Sequence, residues 1–166
     1  ASLIYALCAA PHGVLGMSSD MPGLVETSTN LASVKMLPKN IIRIGTSQRS
    51  SVNSCKQYAA KHVEACFALA GAVVKHNSQY PGWKPKLDSP ILEVSKAAYR
   101  KLFNVDPVVR AIHAGLECGL LSEKLPGLDC VSIGPNMQDI HTSRERLEIE
   151  STKRTWDFIL EILKAL

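Results

Sequence analysis

The chain has 166 residues, of which 46% are hydrophobic and 20% are charged, and its formal net charge is +4 at pH 7. This length can bury a core as one domain or as two small ones, and the composition excludes disordered and fibrous classes. The basic residues are scattered, which argues against nucleic-acid binding, and no apolar run reaches the ~18–20 residues that cross a bilayer.

The cysteines and the start of the chain indicate the compartment. The five cysteines are an odd number and form no CxxC pair, which is typical of reduced, small apolar residues in a core. No charged leader precedes the apolar residues 3–10, so we expect a soluble, cytoplasmic protein. Those residues lack a capping residue beyond Ser2 and end at Pro11, which predicts that the chain is a fragment beginning inside an element.

The first half predicts a β-hairpin between two helices. In chain order we predict a helix over 3–10, a loop over 11–23, strands over 24–37 and 41–49 joined by a turn at 38–40, a helix over 51–70 and a strand over 72–80. The alternating and β-branched residues favour the strands. A serine at position 50 or 51 can cap the second helix, whose apolar residues recur at three-to-four spacing before Gly71.

A proline-rich connector over residues 81–90 separates a second α/β alternation. Here we predict helices over 91–103, 115–125 and 151–166 and strands over 108–113 and 129–133. The last helix is expected to bury Trp156, Ile159, Leu160 and Leu163. Strands that alternate with helices favour a mostly parallel sheet, with functional loops after the strands. The loops over 113–119 and 134–146 are the candidates.

Three groups of residues could carry chemistry. His141 lies in a polar loop behind Gly134 and Pro135, where it is either an ordinary surface histidine or a metal ligand, although one histidine does not make a zinc site. His113 and Glu117 either share a helix face or flank a strand-to-helix turn. Arg49, at a strand end before a helix cap, is either solvated or able to bind a carboxylate.

Several ordered strings carry a family resemblance. Residues 80–85, 111–120 and 132–145, together with 23–31 and 49–51, resemble the aminoacyl-histidine dipeptidases (Xaa-His dipeptidases, peptidase D). The resemblance covers nearly the whole chain and corresponds to the C-terminal half of that family. It implies an α/β fold in which an incomplete ferredoxin-like α+β lid is followed by the C-terminal part of a zinc-peptidase catalytic domain.

The resemblance also implies domain boundaries and site residues. Residues 1–88 correspond to part of the lid and dimerisation domain, and residues 89–166 to the C-terminal part of the catalytic domain. His141 matches the family's last metal ligand, Arg49 matches the lid arginine that binds the substrate carboxylate, and Gly115 lies in the substrate-contacting loop. The implied activity is hydrolysis of carnosine-like Xaa-His dipeptides in the cytoplasm.

The departure from the family is large. The complete active site holds two zinc ions, with manganese or cobalt as alternatives, and its remaining ligands and general base are not identifiable in this chain. We therefore expect the chain alone to be inactive and without metal, and to need its missing N-terminal half. The lid also lacks its first strand, which leaves unpaired edges and predicts a homo-oligomer. Two alternatives remain: a non-catalytic lid-type self-association module, and an amidohydrolase or aminoacylase relative with another substrate.

Overall fold

The computed structural model describes residues 1–84, 86, 88–113 and 116–166, and the chain divides into two compact units. The first unit comprises residues 1–85 and 111–123, and the second comprises residues 86–110 and 124–166. Helices and antiparallel strands together make a mixed α/β protein, which confirms the predicted fold class. No helix within the described residues has the length and apolar character needed to cross a membrane.

The regular elements follow one another in a simple order. They are α1 (Ser2–Ala9), β1 (Gly13–Met17), β2 (Val25–Leu37), a 3-10 turn (Pro38–Asn40), β3 (Ile41–Ser50), α2 (Asn53–Leu69), α3 (Pro90–Phe103), α4 (Glu117–Lys124), β4 (Met137–Gln138), β5 (Arg146–Leu147) and α5 (Ile149–Ala165). The predicted hairpin and the helices on either side of it are therefore confirmed. The helices predicted over 91–103, 115–125 and 151–166 are also present, with slightly shifted ends.

The first unit is built on a three-stranded antiparallel sheet in the order β1-β2-β3. Its small core joins α1 and α2 to one face of this sheet. Ala6 of α1 and Val63 and Phe67 of α2 are buried there, with Leu31 and Ile44 of the sheet packed against them. Because α2 repeats buried residues at four-residue spacing, one stripe of the helix covers the sheet.

A one-residue bulge sets which side chains of the hairpin share a face. At the hairpin tip Leu37 pairs with Ile41, but the register shifts between Leu31 and Ser33, so that Ser28 pairs with Arg49. Extending the tip register without the shift would put Arg49 opposite Thr29 instead. Since successive side chains of a strand point to opposite faces, the bulge decides which β2 residue accompanies Arg49.

Gly82 lies where the backbone of the connector crosses the end of β3. A Cβ at this position would lie 2.3 Å from the carbonyl oxygen of Ser50 and 2.9 Å from the carbonyl carbon of Ser51. Lys56 of α2 donates a hydrogen bond to the carbonyl oxygen of Tyr80 in the same stretch. The absent side chain at Gly82 thus permits close backbone packing beside the strand end that carries Arg49.

Replacing Gly82 by alanine is expected to destabilise the first unit by about 1–3 kcal/mol, the usual cost of forcing extra atoms into a packed site. The backbone at Ser50 and Ser51 has to move because no flexible side chain can yield. Gly16→Ala is the matched control, since its Cβ would meet its nearest atom, Thr27 Cβ, at an ordinary 3.9 Å. Thermal unfolding measures both variants, and equal melting temperatures would contradict the packing described here.

The second unit pairs α3 with α5 around an aromatic cluster. The rings of Tyr99 and Phe103 have centroids 4.6 Å apart, and Phe158 of α5 meets Tyr99 edge-on at 5.4 Å. Ser89 is the N-cap residue of α3, and its hydroxyl accepts a hydrogen bond from the Leu92 backbone N–H and donates one to Asp129. These two hydrogen bonds of the Ser89 hydroxyl fix the start of α3.

Glu161 connects the same two helices and provides a test of the unit's acid stability. Only 11% of its side chain is exposed, and a hydrogen bond from the Lys101 ammonium holds the pKa of Glu161 below its ordinary value. A carboxylate with a depressed folded pKa stabilises the fold above its unfolded pKa, near 4.5, and this stabilisation is lost as pH falls through the folded pKa.

Glu161→Gln is therefore expected to lower the melting temperature at pH 7 and to have little effect near pH 3. Asp157→Asn, at an exposed position of the same helix, is the control and should leave the melting temperature unchanged at both values. The measurement is thermal unfolding across this pH range. A Glu161→Gln effect that is the same at pH 3 and pH 7 would rule out the ionised carboxylate as its cause.

Several sequence predictions are wrong in detail. The predicted loop over 11–23 contains β1, and residues 72–80, 108–113 and 129–133 form no strand within the described part of the chain. The sheets there are antiparallel, so the mostly parallel sheet is also wrong. In α5, Trp156 and Leu163 are 59% and 61% exposed and Leu160 is 38% exposed, whereas Ser151, Glu161 and Ile162 are buried.

Candidate functional site

Arg49 stands near the end of β3 on the sheet face opposite to α2. Its cross-strand partner is Ser28, so the two side chains share that face. Arg49 is exposed. No carboxylate of the described residues lies within ion-pairing distance of its guanidinium. A planar, exposed guanidinium without an acidic partner is suited to bind an external carboxylate through two parallel hydrogen bonds.

On the opposite face of the sheet, buried hydroxyl groups link β2 and β3 next to Arg49. Thr27 and Ser50 are both buried and their side-chain oxygens are 2.9 Å apart. The neighbouring Gln48 amide donates a hydrogen bond of 3.0 Å to Thr29, which is also buried. These pairs link β2 to β3 at the residues on either side of Arg49. They therefore hold the backbone that carries Arg49 from the opposite face of the sheet.

His113 meets the face that carries Arg49. Its Nε2 atom lies 2.7 Å from the hydroxyl oxygen of Ser28, and the backbone of Val25 provides a further hydrogen bond. Partial burial, followed by the positive charge of Arg49, lowers the pKa of His113, and the Val25 bond opposes this only in part. The imidazole is therefore neutral at pH 7, and the charge beside it comes from Arg49.

The structure decides between the two arrangements of His113 and Glu117. Glu117 is the first residue of α4 and His113 precedes the helix, so the two do not share a helix face. The predicted strand before this turn is wrong, because residues 108–113 are irregular. The predicted position of Glu117 in the first turn of a helix is correct. Gly115, the second predicted substrate-binding residue, lies outside the described residues.

His141 occupies the turn of the short β4-β5 hairpin in the second unit. It is exposed and has a positive φ of 66°, and its backbone N–H donates a 2.8 Å hydrogen bond to Glu145 Oε2. Arg146 forms an ion pair of 2.9 Å with Asp139 across the same turn. These local bonds hold the turn in which the exposed imidazole lies.

The residues that the structure describes do not by themselves fit a zinc centre. Among the described residues no three histidine, cysteine, aspartate or glutamate side chains come together in a way that could hold a metal ion. A structural or catalytic zinc needs at least three protein ligands, and two neighbouring metals need more. His141 by itself offers one donor nitrogen, which is fewer than such a site needs.

Reasoning from the sequence missed the partners of Arg49. Ser28 and His113 are 85 positions apart, and neither neighbourhood contains a motif that joins them. The hairpin could be foreseen, but the bulge that aligns Ser28 with Arg49 could not be read from the residue pattern. Gly82 was noticed only as part of the connector and of the family string at residues 80–85, without a packing role.

Together, these features define a mixed α/β segment with an exposed arginine on one face of its sheet and an exposed histidine in a short hairpin turn. No known protein-family model matches the chain. It is 38% identical over 165 residues to the cytosol non-specific dipeptidase of Escherichia coli (strain K12), covering 99% of this chain and 34% of that protein. The resemblance to the dipeptidases is thereby confirmed.

Solved structures agree with this relationship. The aminoacylhistidine dipeptidase from Vibrio alginolyticus superposes with a TM-score of 0.78 at 34% identity, over 99% of this chain and 34% of that one. Aminopeptidase PepT from Bacillus cereus ATCC 10987 superposes with a TM-score of 0.74 at 22% identity, over 97% and 43% of the two chains, and shows the shared fold. The chain thus spans about a third of the length of the dipeptidases that it matches.

Proposed function

We propose that this chain is part of a cytoplasmic, metal-dependent dipeptidase that hydrolyses Xaa-His dipeptides, and that it supplies the subsite for the substrate's terminal carboxylate. In this proposal Arg49 binds the carboxylate and Gly115 contacts the substrate. His141 provides one ligand to a site that holds two zinc ions in the complete enzyme, with manganese or cobalt as alternatives. The complete enzyme is a homo-oligomer.

The observation that carries the proposal is the environment of Arg49. It is an exposed guanidinium without an acidic partner among the described residues, beside an imidazole that is neutral at pH 7. A dipeptide differs from an internal peptide segment by its terminal carboxylate, which an arginine can recognise bidentately. The 38% identity to a dipeptidase over almost the whole chain supports the same reaction class.

The exposed area supports the view that further polypeptide completes the fold. The accessible surface is 12118 Å² for a mass of 18.1 kDa. A compact monomer of this mass exposes about 8,100 Å², and even two separate globules of half the mass expose about 9,700 Å². The excess includes large apolar side chains such as Met36 and Val108, which are 71% and 77% exposed.

The test compares a full-length chain containing this segment with the segment alone. Each is assayed for hydrolysis of β-alanyl-histidine and alanyl-histidine with added Zn²⁺ or Mn²⁺, and again with a chelator. We expect metal-dependent turnover by the full-length chain and none by the segment. Turnover by the pure segment would overturn its predicted dependence on the missing half, and a full-length chain that is inactive with either metal would overturn the proposed function.

A matched substrate isolates the role of the carboxylate. The same dipeptides with an amidated C-terminus keep the scissile bond and remove the charge that Arg49 would bind. We expect the amides to be poor substrates of the full-length chain. A panel with other acyl and amino-acid groups then distinguishes an Xaa-His dipeptidase from an aminoacylase relative, since the latter would prefer N-acyl amino acids.

A further inference from the structure

We propose that Ser28 and His113 are a positioning pair for Arg49, whose hydrogen bond sets the geometry of the subsite that receives the carboxylate of a dipeptide. This inference rests on the proposed function and deepens it by adding two residues to the same subsite. The bond holds His113 against the strand face that presents the guanidinium.

The geometry of the pair supports this role. The 2.7 Å bond between His113 Nε2 and the Ser28 hydroxyl joins residues that are 85 positions apart. Ser28 is directly opposite Arg49 in the β2-β3 register. Any movement of His113 therefore acts on the residue nearest to Arg49 on the neighbouring strand.

The protonation of the imidazole sets the charge beside Arg49. In the bond between His113 Nε2 and the Ser28 hydroxyl, either atom can be the donor, depending on the tautomer of the ring. Partial burial lowers the pKa of His113, so the ring is neutral at pH 7. The neutral ring then adds no second cation to the subsite, and the positive charge facing the substrate carboxylate comes from Arg49.

Three variants of the full-length chain test the inference. Ser28→Ala removes the bond to Nε2, and Ser28→Thr keeps a hydroxyl at the same position of the strand. Ser47→Ala is the matched control, because Ser47 is an exposed serine on β3 two positions from Arg49 and on the same face. The readouts are KM and kcat for alanyl-histidine.

We expect Ser28→Ala to raise KM about three- to tenfold, the effect of losing one hydrogen bond of ordinary strength, with kcat changed less than about twofold. Ser28→Thr and Ser47→Ala should behave like the wild type. An unchanged KM in Ser28→Ala, or an equal loss in Ser28→Thr, would overturn the positioning role. In either case an active wild type keeps the proposed function intact, whereas an inactive wild type overturns the proposed function itself.

A measurement on the wild type keeps the inference testable if a variant does not fold. Selective 15N labelling of histidine in the full-length chain reports the protonation of each ring nitrogen. We expect His113 to be neutral at pH 7, with an Nε2 chemical shift that reports a hydrogen bond. An Nε2 shift of a nitrogen without a hydrogen bond would contradict the pair, and a charged ring would contradict a subsite in which Arg49 supplies the positive charge.

Discussion

Replacing Arg49 by alanine in a full-length chain is expected to lower kcat/KM for alanyl-histidine by about 30- to 3,000-fold. Truncating one member of a hydrogen-bonded charge pair costs about 2–5 kcal/mol, and each 1.4 kcal/mol is a tenfold change. The structure favours a large effect because the residue opposite Arg49 is Ser28, an uncharged residue that cannot replace the lost charge. The neutral His113 cannot replace the lost charge.

Three comparisons make this prediction specific. Arg49→Lys keeps the charge but loses the two-pronged guanidinium, so it should restore only part of the activity. Arg43→Ala removes an exposed arginine from the same strand and the same face, and should leave kcat/KM unchanged. For amidated dipeptides Arg49→Ala should have little effect. An equal loss on the amide and on the free dipeptide would show that Arg49 supports the fold rather than the carboxylate.

The parts of the fold that could be predicted are those set by local patterns. The β2-β3 hairpin follows from alternation and a turn at Pro38, and α2 follows from apolar residues at helical spacing. Both depend on interactions within a few residues of the chain, or across one turn. The burial of Ala59, Val63 and Phe67 in α2 agrees with the predicted stripe for the same reason.

The wrong predictions concern segments whose structure depends on distant partners. Residues 108–113 have a strand-like composition, but Val108 and Ile112 are 77% and 59% exposed and no neighbouring strand of the described residues pairs with them. A strand needs a partner for its backbone hydrogen bonds, which composition cannot supply. The stripe of α5 that contains Trp156 and Leu163 was predicted to be buried because of its apolar pattern. It is exposed because the described residues do not form a surface that covers it.

The candidate site shows the same difference between features set by local sequence and features set by distant contacts. Arg49 and His141 could be selected from the sequence because their neighbours form recognisable strings, and their functional roles remain predictions. The Ser28–His113 bond could not be selected, because it needs both the bulge between Leu31 and Ser33 and the return of the chain 85 residues later. One extra residue in β2 thus determines which side chain stands beside Arg49.

Replacing His141 by asparagine is expected to reduce the activity of a full-length chain by more than about 100-fold. Loss of an outer-shell partner of a metal site already costs about 10- to 100-fold in metal affinity or activity, so loss of a ligand should cost more. Asparagine is chosen because His141 has a φ of 66°, a left-handed conformation that asparagine tolerates better than alanine. The turn and the bond from its backbone N–H to Glu145 should therefore persist.

Metal content separates a ligand from a structural residue at this position. After dialysis the His141→Asn variant should retain about one zinc ion less per chain than the wild type, while its melting temperature in excess chelator stays the same as that of the wild type. His76→Ala is the control, since His76 is a surface histidine paired with Glu64 and should affect neither metal content nor activity. A His141→Asn variant with full zinc content and full activity would refute the ligand assignment. A variant that loses activity but retains its zinc would assign His141 to the substrate instead of the metal.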